Sequence, residues 1–95
     1  MALLQGIPDK FVLSQNYPNL FNPTTRIRFG LPVTSPVRLE VFNALGQMVA
    51  SLAEGVMDSG YHEVSLDGTS LASGVYLYRL QAGNFVATKR FALVK

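Results

Sequence analysis

His62 is the single histidine of the chain, and histidine is the residue best suited to acid–base chemistry near neutral pH. It lies in an alternating segment, where it shares a face with Val64 and Leu66. A lone histidine on an apolar strand face is more often a packed residue than a base or a ligand. Since the chain has no cysteine and no second histidine, its side chains do not supply a common zinc site. We therefore interpret His62 as a packed residue.

Three acidic residues, Asp58, Glu63 and Asp67, lie close together in the sequence. Paired carboxylates hydrolyse glycosides when about 5–10 Å separates them across a cleft, but these acids lie in or beside predicted turns. Residues 67–70, with the sequence DGTS, also offer oxygen ligands. Calcium takes six or more oxygens, and this turn contains a single acid. We predict that Asp67 stabilises the turn, that the chain is not an enzyme, and that it needs no cofactor or metal.

The composition is that of one folded domain. With 95 residues, 48% of them hydrophobic, the chain is long enough to close its own core. No apolar run approaches the ~20 residues that cross a bilayer, so no membrane insertion is expected. The net charge of +2 does not predict a nucleic-acid partner, which would also need exposed aromatic residues. We expect four candidates to pack in the fold instead: Tyr17, Phe21, Tyr76 and Tyr78.

Charge is distributed unevenly along the chain. Residues 39–78 contain five acids and no Lys or Arg. The basic residues after them are Arg79, Lys89, Arg90 and Lys95, and no acid lies among these. Two interpretations stay open. Either a partner or an anionic surface recognises a basic last strand, or the charges block edge-to-edge association of strands.

Alternation of apolar and polar residues predicts strands throughout the chain, as where Ile27, Phe29 and Leu31 alternate with polar neighbours. The seven predicted strands cover residues 11–15, 25–31, 37–41, 49–53, 61–66, 74–82 and 85–94. Val49 and Leu52 break the alternation and predict a β-bulge. Residues 47–54 compete as a helix, but eight residues without a clear cap are marginal. Seven short strands with this spacing favour an all-β, immunoglobulin-like antiparallel β-sandwich.

The connection between the first two predicted strands is crowded with asparagine and proline. Its residues of these types are Asn16, Pro18, Asn19, Asn22 and Pro23. Proline fixes φ, and asparagine side chains bond nearby backbone groups, so this sequence predicts a specified structural loop. The apolar residues between them predict that the loop folds back onto a core.

Gly74 and Tyr76 open the sixth predicted strand after a turn. In immunoglobulin-type domains a Tyr at this place bonds back to upstream backbone at a corner. Tyr76 is placed for that role, with Gly74 allowing a tight approach. The alternative is a core Tyr whose hydroxyl reaches the rim.

Five segments follow one another in an order typical of one protein family. They are LSQNYPNLFNPTTRIRFGLP, VRLEVFNALGQMVASL, GYHEVSLDG, LASGVYLYRLQAG and TKRFALVK. Together they resemble the C-terminal sorting domain of proteins exported by the bacterial type IX (Por) secretion system. They also resemble the immunoglobulin-like domain of flagellar hook-capping proteins. The resemblance covers residues 11–95, which are expected to form this domain, and residues 1–10 are expected to be a linker or an expression-derived segment.

The resemblance implies a sorting signal rather than an enzyme. Such domains lie at the C-terminus of surface or secreted proteins of the Bacteroidetes. Their presence implies an N-terminal cargo domain that travels through the periplasm and across the outer membrane. The outer-membrane translocon recognises the folded domain, and a sortase-like peptidase usually removes it, here within residues 7–10. By this resemblance the residues expected to meet the translocon are Gly74, Tyr76, Lys89, Arg90 and Lys95.

Two positions depart from the family's pattern. Leu20 replaces a proline of the usual Asn-Pro-Phe-Asn-Pro, and Leu66 stands where Trp is common. The alternative, from another class of function, is a structural module of a larger extracellular protein. Such a module would act as a spacer, stabilise the protein or associate with a second copy of itself. The hook-capping resemblance favours that alternative, with weak homodimerisation through an edge strand. A sugar-binding accessory module is the third class.

Overall fold

The computed structural model describes residues 6–95 except Asn19 and Asn22, so the predicted loop roles of those two asparagines lie outside the described residues. The described residues form eight β-strands: β1 (Val12–Leu13), β2 (Leu20–Phe21), β3 (Thr24–Leu31), β4 (Ser35–Phe42), β5 (Met48–Met57), β6 (Gly60–Asp67), β7 (Gly74–Ala82) and β8 (Phe85–Leu93). All seven predicted strands are among them. The additional strand is β2, which is formed by two residues of the Asn- and Pro-rich loop.

The strands form two sheets. One sheet has three strands in the order β1-β3-β6, and the other has five in the order β2-β8-β7-β4-β5. Neighbouring strands are antiparallel except for β2, which pairs with β8 in parallel through Leu20 opposite Ala92 and Phe21 opposite Leu93. The predicted all-β sandwich is confirmed, and the parallel pair is an addition that alternation alone does not encode.

The core lies between the sheets because successive strand residues point to opposite faces. In β3 the alternating residues Ile27 and Phe29 are fully buried, and Tyr78 of β7 is fully buried in the same core cluster. Phe91 of β8 stacks on Tyr76 with 5.3 Å between ring centroids, and its ring lies 6.1 Å from that of Tyr78. Aromatic residues of β7 and β8 thus fill one end of the core.

The pairing of β4 with β5 shifts register at two places. The residues of β5 that the register skips are Leu52 and Val49, the two whose spacing predicted a bulge. The helix considered for residues 47–54 does not form, because the segment lies almost entirely in β5. β5 is an outer strand of its sheet. Bulges twist such a strand and make it a poorer template for pairing with another chain.

Replacing Phe91 by alanine tests the aromatic end of the core. We expect Phe91→Ala to lower the free energy of unfolding by about 3–5 kcal/mol, because a buried ring is replaced by a cavity. Urea denaturation followed by circular dichroism measures this difference. Val86→Ala changes an exposed residue of the same strand and should cost less than about 0.5 kcal/mol. Equal effects of the two substitutions would contradict the inward orientation of Phe91.

Candidate functional site

Hydrogen bonds of two buried polar side chains, Asn16 and Thr25, close the Asn- and Pro-rich loop. Asn16 is 1% exposed, and its side-chain Nδ2 donates to the Pro18 carbonyl oxygen at 2.9 Å and to the Thr25 hydroxyl oxygen at 3.2 Å. The Thr25 hydroxyl in turn donates to the same Pro18 carbonyl at 2.7 Å. A polar side chain removed from water needs such partners. Asn16 and Thr25 therefore hold the loop in one conformation from its inside.

Tyr78 of β7 attaches this loop to the five-stranded sheet. Its hydroxyl donates to the Ser14 carbonyl oxygen at 2.7 Å and accepts from the Asn16 backbone N–H at 2.8 Å. Burial raises the pKa of the Tyr78 phenol to about 12, so the neutral hydroxyl, which can donate and accept, is the stable form. Alternation predicts that Tyr78 packs inward, but no signal in the sequence indicates this contact across 62 positions.

The loop also reaches the last strand. The Gln15 side-chain Nε2 donates to the Arg90 carbonyl oxygen at 2.8 Å and to the Asn16 side-chain oxygen at 2.7 Å. The Pro23 carbonyl accepts from the Gly68 N–H at 2.7 Å, which joins the loop to the β6–β7 connection. An open cleft of about 520 Å³ lies beside Gln15, and we call it the β8 cleft. Its lining residues are Gln15, Val75, Lys89, Arg90, Phe91 and Ala92.

One side of β8 is open over most of its length. On its other side β8 pairs with β7 along all nine residues. On the open side β2 covers Ala92 and Leu93, and the Gln15 side chain bonds the Arg90 carbonyl. Within the described chain no strand pairs with residues 85–89 there. β8 is therefore covered at its end by β2 and has no neighbouring strand on this side along residues 85–89. The reason is that Leu20–Phe21 of the loop fold back and pair with it.

Lys89 and Arg90 lie side by side on this open strand. Lys89 pairs with Tyr78 and Arg90 with Leu77, and adjacent strand residues point to opposite faces. Lys89 is half-buried on the face that carries the core, whereas Arg90 is exposed on the outer face. Both line the β8 cleft. A partner that approached the open side of β8 would meet a positive charge from each face.

Lys95 is separate from that pair. It lies beyond the end of β8, where its Nζ donates to the Thr69 carbonyl oxygen at 2.5 Å and its backbone N–H donates to the Ser73 hydroxyl oxygen at 3.1 Å. In the same turn the Asp67 carboxylate accepts from the hydroxyl and the N–H of Thr69. These hydrogen bonds, with a smaller effect of the Lys95 charge, hold the pKa of Asp67 below its ordinary value. Asp67 therefore stabilises the turn.

Tyr76 makes the contact that a corner tyrosine requires. Its hydroxyl donates at 2.5 Å to the carbonyl oxygen of Ala72, four residues upstream, and the residue is 6% exposed. Gly74 has φ +153°, a backbone conformation that residues with a side chain rarely adopt. A Cβ added there would meet nothing within 4 Å. The tight approach expected at Gly74 is therefore wrong, and the backbone conformation is what calls for glycine.

The residues considered for catalysis serve packing and turns. His62 is half-buried and stacks on Phe29 with 5.3 Å between ring centroids, and its Nε2 donates to the Asp58 carbonyl oxygen at 2.7 Å. Among the described residues, no three His, Asp or Glu side chains are grouped so that they could hold a metal ion. The same part of the chain contains no helix long and apolar enough to cross a membrane.

Tyr17 departs from the expectation that it packs in the fold. It is 80% exposed. Its backbone forms two hydrogen bonds with that of Arg26, of 2.9 and 3.0 Å, and residues bridged in this way place their side chains on the same face. Because Arg26 points outward from β3, Tyr17 does so too. Alternation within the loop could not predict this, since the bridge depends on pairing with another segment.

These features define a small β-sandwich module whose Asn- and Pro-rich loop closes onto its last strand. The sequence matches the family described as "Secretion system C-terminal sorting domain" over residues 15–94, and the chain belongs to that family. No curated protein is similar enough to the chain to count as a match. Membership implies that the domain is a C-terminal sorting signal of type IX secretion, and the family is known to be non-catalytic. It acts with the secretion machinery on an N-terminal cargo domain, which is exported across the outer membrane and is then secreted or held at the cell surface.

Removing the Tyr78 hydroxyl tests the attachment of the loop. We expect Tyr78→Phe to lower the free energy of unfolding at pH 7 by about 1–3 kcal/mol, because the part-buried Ser14 carbonyl and the buried Asn16 N–H lose their partner. In the wild type the pKa of the Tyr78 phenol is higher in the folded than in the unfolded state, so the neutral phenol contributes its full stabilisation below pH 10. That contribution is lost as the pH rises from 10 to about 12.

Urea denaturation at pH 7 and across this alkaline range measures both effects, and the variant should lack the alkaline loss that Tyr78 causes. Tyr17→Phe removes an exposed hydroxyl and is the control, with an expected change below about 0.5 kcal/mol. A Tyr78→Phe variant as stable as this control would contradict the attachment.

Proposed function

We propose that the translocon of the type IX system recognises this domain in its folded form, through the open side of β8 and the β8 cleft. The observation that carries the proposal is the family match over residues 15–94, because that range includes the loop, β8 and the contacts between them. An extended segment of a partner can add to an open strand through main-chain hydrogen bonds. Residues 85–89 present such a strand beside a cleft.

Charge supports the same surface. A partner strand that pairs with β8 would meet Lys89 on one face and Arg90 on the other. Arg79, which lies on the adjacent strand, already contacts Glu40 at 3.3 Å. We infer that the partner segment carries acidic side chains near this point, since complementary charge gives register and a faster encounter.

The remaining proposed site residues act on this surface from inside the fold or from its end. Tyr76 stacks beneath Phe91, which lines the β8 cleft. Gly74 pairs with Leu93 at the end of β8. Lys95 ties the chain beyond β8 to the turn at Thr69. We assign these three residues a positioning role, whereas Lys89 and Arg90 make the contact.

Export tests this proposal. Residues 1–95 are fused to the C-terminus of a periplasm-directed fluorescent protein in a host with type IX secretion. The wild type is compared with Lys89→Glu/Arg90→Glu and with Arg26→Glu/Arg38→Glu, a control that makes the same change of charge on β3 and β4. We expect the wild type and the control to be exported, and the β8 variant to be exported at least about tenfold less while circular dichroism shows it folded.

The other outcomes are distinct. Equal export of all three proteins would keep the sorting signal and overturn the assignment of the β8 surface. Retention of all three in the periplasm would favour the structural module, in which the domain spaces or stabilises a larger protein. After export we propose that a sortase-like peptidase removes the domain on its N-terminal side.

A further inference from the structure

Pro8 is buried although it lies before the first strand. The residues around it are partly or largely exposed: Gly6 and Ile7 before it, and Asp9 and Lys10 after it. A single buried residue in an exposed segment indicates a contact with the body of the domain. The sequence predicts that residues 1–10 are a linker or an expression-derived segment, so this contact needs a structural cause.

Pro8 packs against Gly30 of β3, where the absence of a side chain leaves space for it. Its neighbours Arg26 and Arg28 on the same face of the strand carry long side chains, whereas Gly30 carries none. A Cβ built on Gly30 would lie 3.0 Å from the Pro8 Cγ and 3.0 Å from the Tyr61 Cε1, closer than side chains normally approach. Gly30 is not among the residues with positive φ, so space rather than backbone conformation calls for glycine. We call this space, which is bounded by Gly30 and Tyr61, the Gly30 notch.

The wall of the notch is itself held in place. The Arg28 guanidinium lies over the Tyr61 ring, 4.7 Å from its centroid, a cation–π contact that fixes the ring beside Gly30. Tyr61 pairs with Gly30 across β3 and β6. The notch is therefore part of the folded sheet.

The chain after Pro8 is fixed to the domain as well. Phe11 stacks on Phe85 with 5.3 Å between ring centroids. Val12 then pairs with Gly30 and Leu13 with Phe29 as β1 joins the three-stranded sheet. Pro8 thus extends the contacts of Phe11 further toward the N-terminus.

We propose that residues 6–10 are a docked arm of the domain, held by Pro8 in the Gly30 notch, and that the bond cut during processing lies on the N-terminal side of Gly6. The inference rests on the proposed function, because only a sorting domain that is removed has a processing bond. A peptidase binds its substrate as an extended strand. Residues 7–10 can meet that requirement only after Pro8 leaves the notch, and this local opening makes cleavage there slow.

Limited digestion with the lysine-specific protease Lys-C tests the docked arm without the secretion system. In this chain Lys-C cuts after Lys10, which reports release of the arm, and after Lys89, which reports opening of β8. In Gly30→Val the new side chain occupies the notch. We expect the cut after Lys10 to become about tenfold faster, while the cut after Lys89 stays within about twofold of the wild type. Mass spectrometry follows both products.

Two further variants keep the test decisive. Ser65→Val adds the same side chain to an exposed position of the same sheet, and it should change neither rate. Pro8→Gly leaves the sheet intact, and it should accelerate the cut after Lys10 as much as Gly30→Val does. This variant keeps the test valid even if Gly30→Val unfolds the domain. Synthetic peptides of residues 1–15 with and without Pro8→Gly give the rate of cutting in an undocked chain.

Two results would overturn the docked arm. One is a cut after Lys10 that is as fast in the wild-type domain as in its peptide, and the other is a cut that is equally fast in the wild type, Gly30→Val and Pro8→Gly. In the export host, the N-terminus of the released domain locates the processing bond. We expect it before Gly6 in the wild type, and a cut within residues 7–10 would overturn the proposed position even where export succeeds. A failure of export would count against the proposed function alone, since the Lys-C result stands apart from it.

Discussion

One tyrosine hydroxyl attaches the Asn- and Pro-rich loop to the central strand of the five-stranded sheet. Tyr78 donates to the Ser14 carbonyl and accepts from the Asn16 N–H, and buried backbone groups need such partners. The closed loop then places Gln15 against the Arg90 carbonyl and β2 beside the end of β8. Gln15 of the loop lines the β8 cleft together with residues of β7 and β8, so the attached loop contributes part of that cleft. Loss of the Tyr78 hydrogen bonds is therefore expected to disturb the proposed recognition surface as well as the loop.

This arrangement suits a signal that is recognised after folding. The loop comes from the start of the domain and the last strand from its end, so the surface they form is complete only when the chain between them has folded. We infer that the machinery can thereby separate a finished domain from an unfolded one. The docked arm adds a boundary, since Pro8 on Gly30 fixes where the folded domain begins and where the cargo connection becomes accessible.

Alternation predicted the strands well because side chains on a strand point to its two faces in turn, and burial on one face selects apolar residues there. Even the bulge residues Val49 and Leu52 follow from that local rule. The contacts of Tyr78, the outward direction of Tyr17 and the burial of Pro8 could not be predicted. Each depends on which distant segment lies opposite, and residue spacing carries no record of that pairing.

Native-state hydrogen exchange measured by NMR tests the central claim most directly. If the Tyr78 hydroxyl holds the loop closed, the Asn16 amide should exchange within about tenfold of the Leu80 amide in the central strand β7, because both open only when the domain unfolds. An Asn16 amide that exchanges more than about a thousandfold faster than that of Leu80 would show a loop that opens by itself. That result would contradict the account.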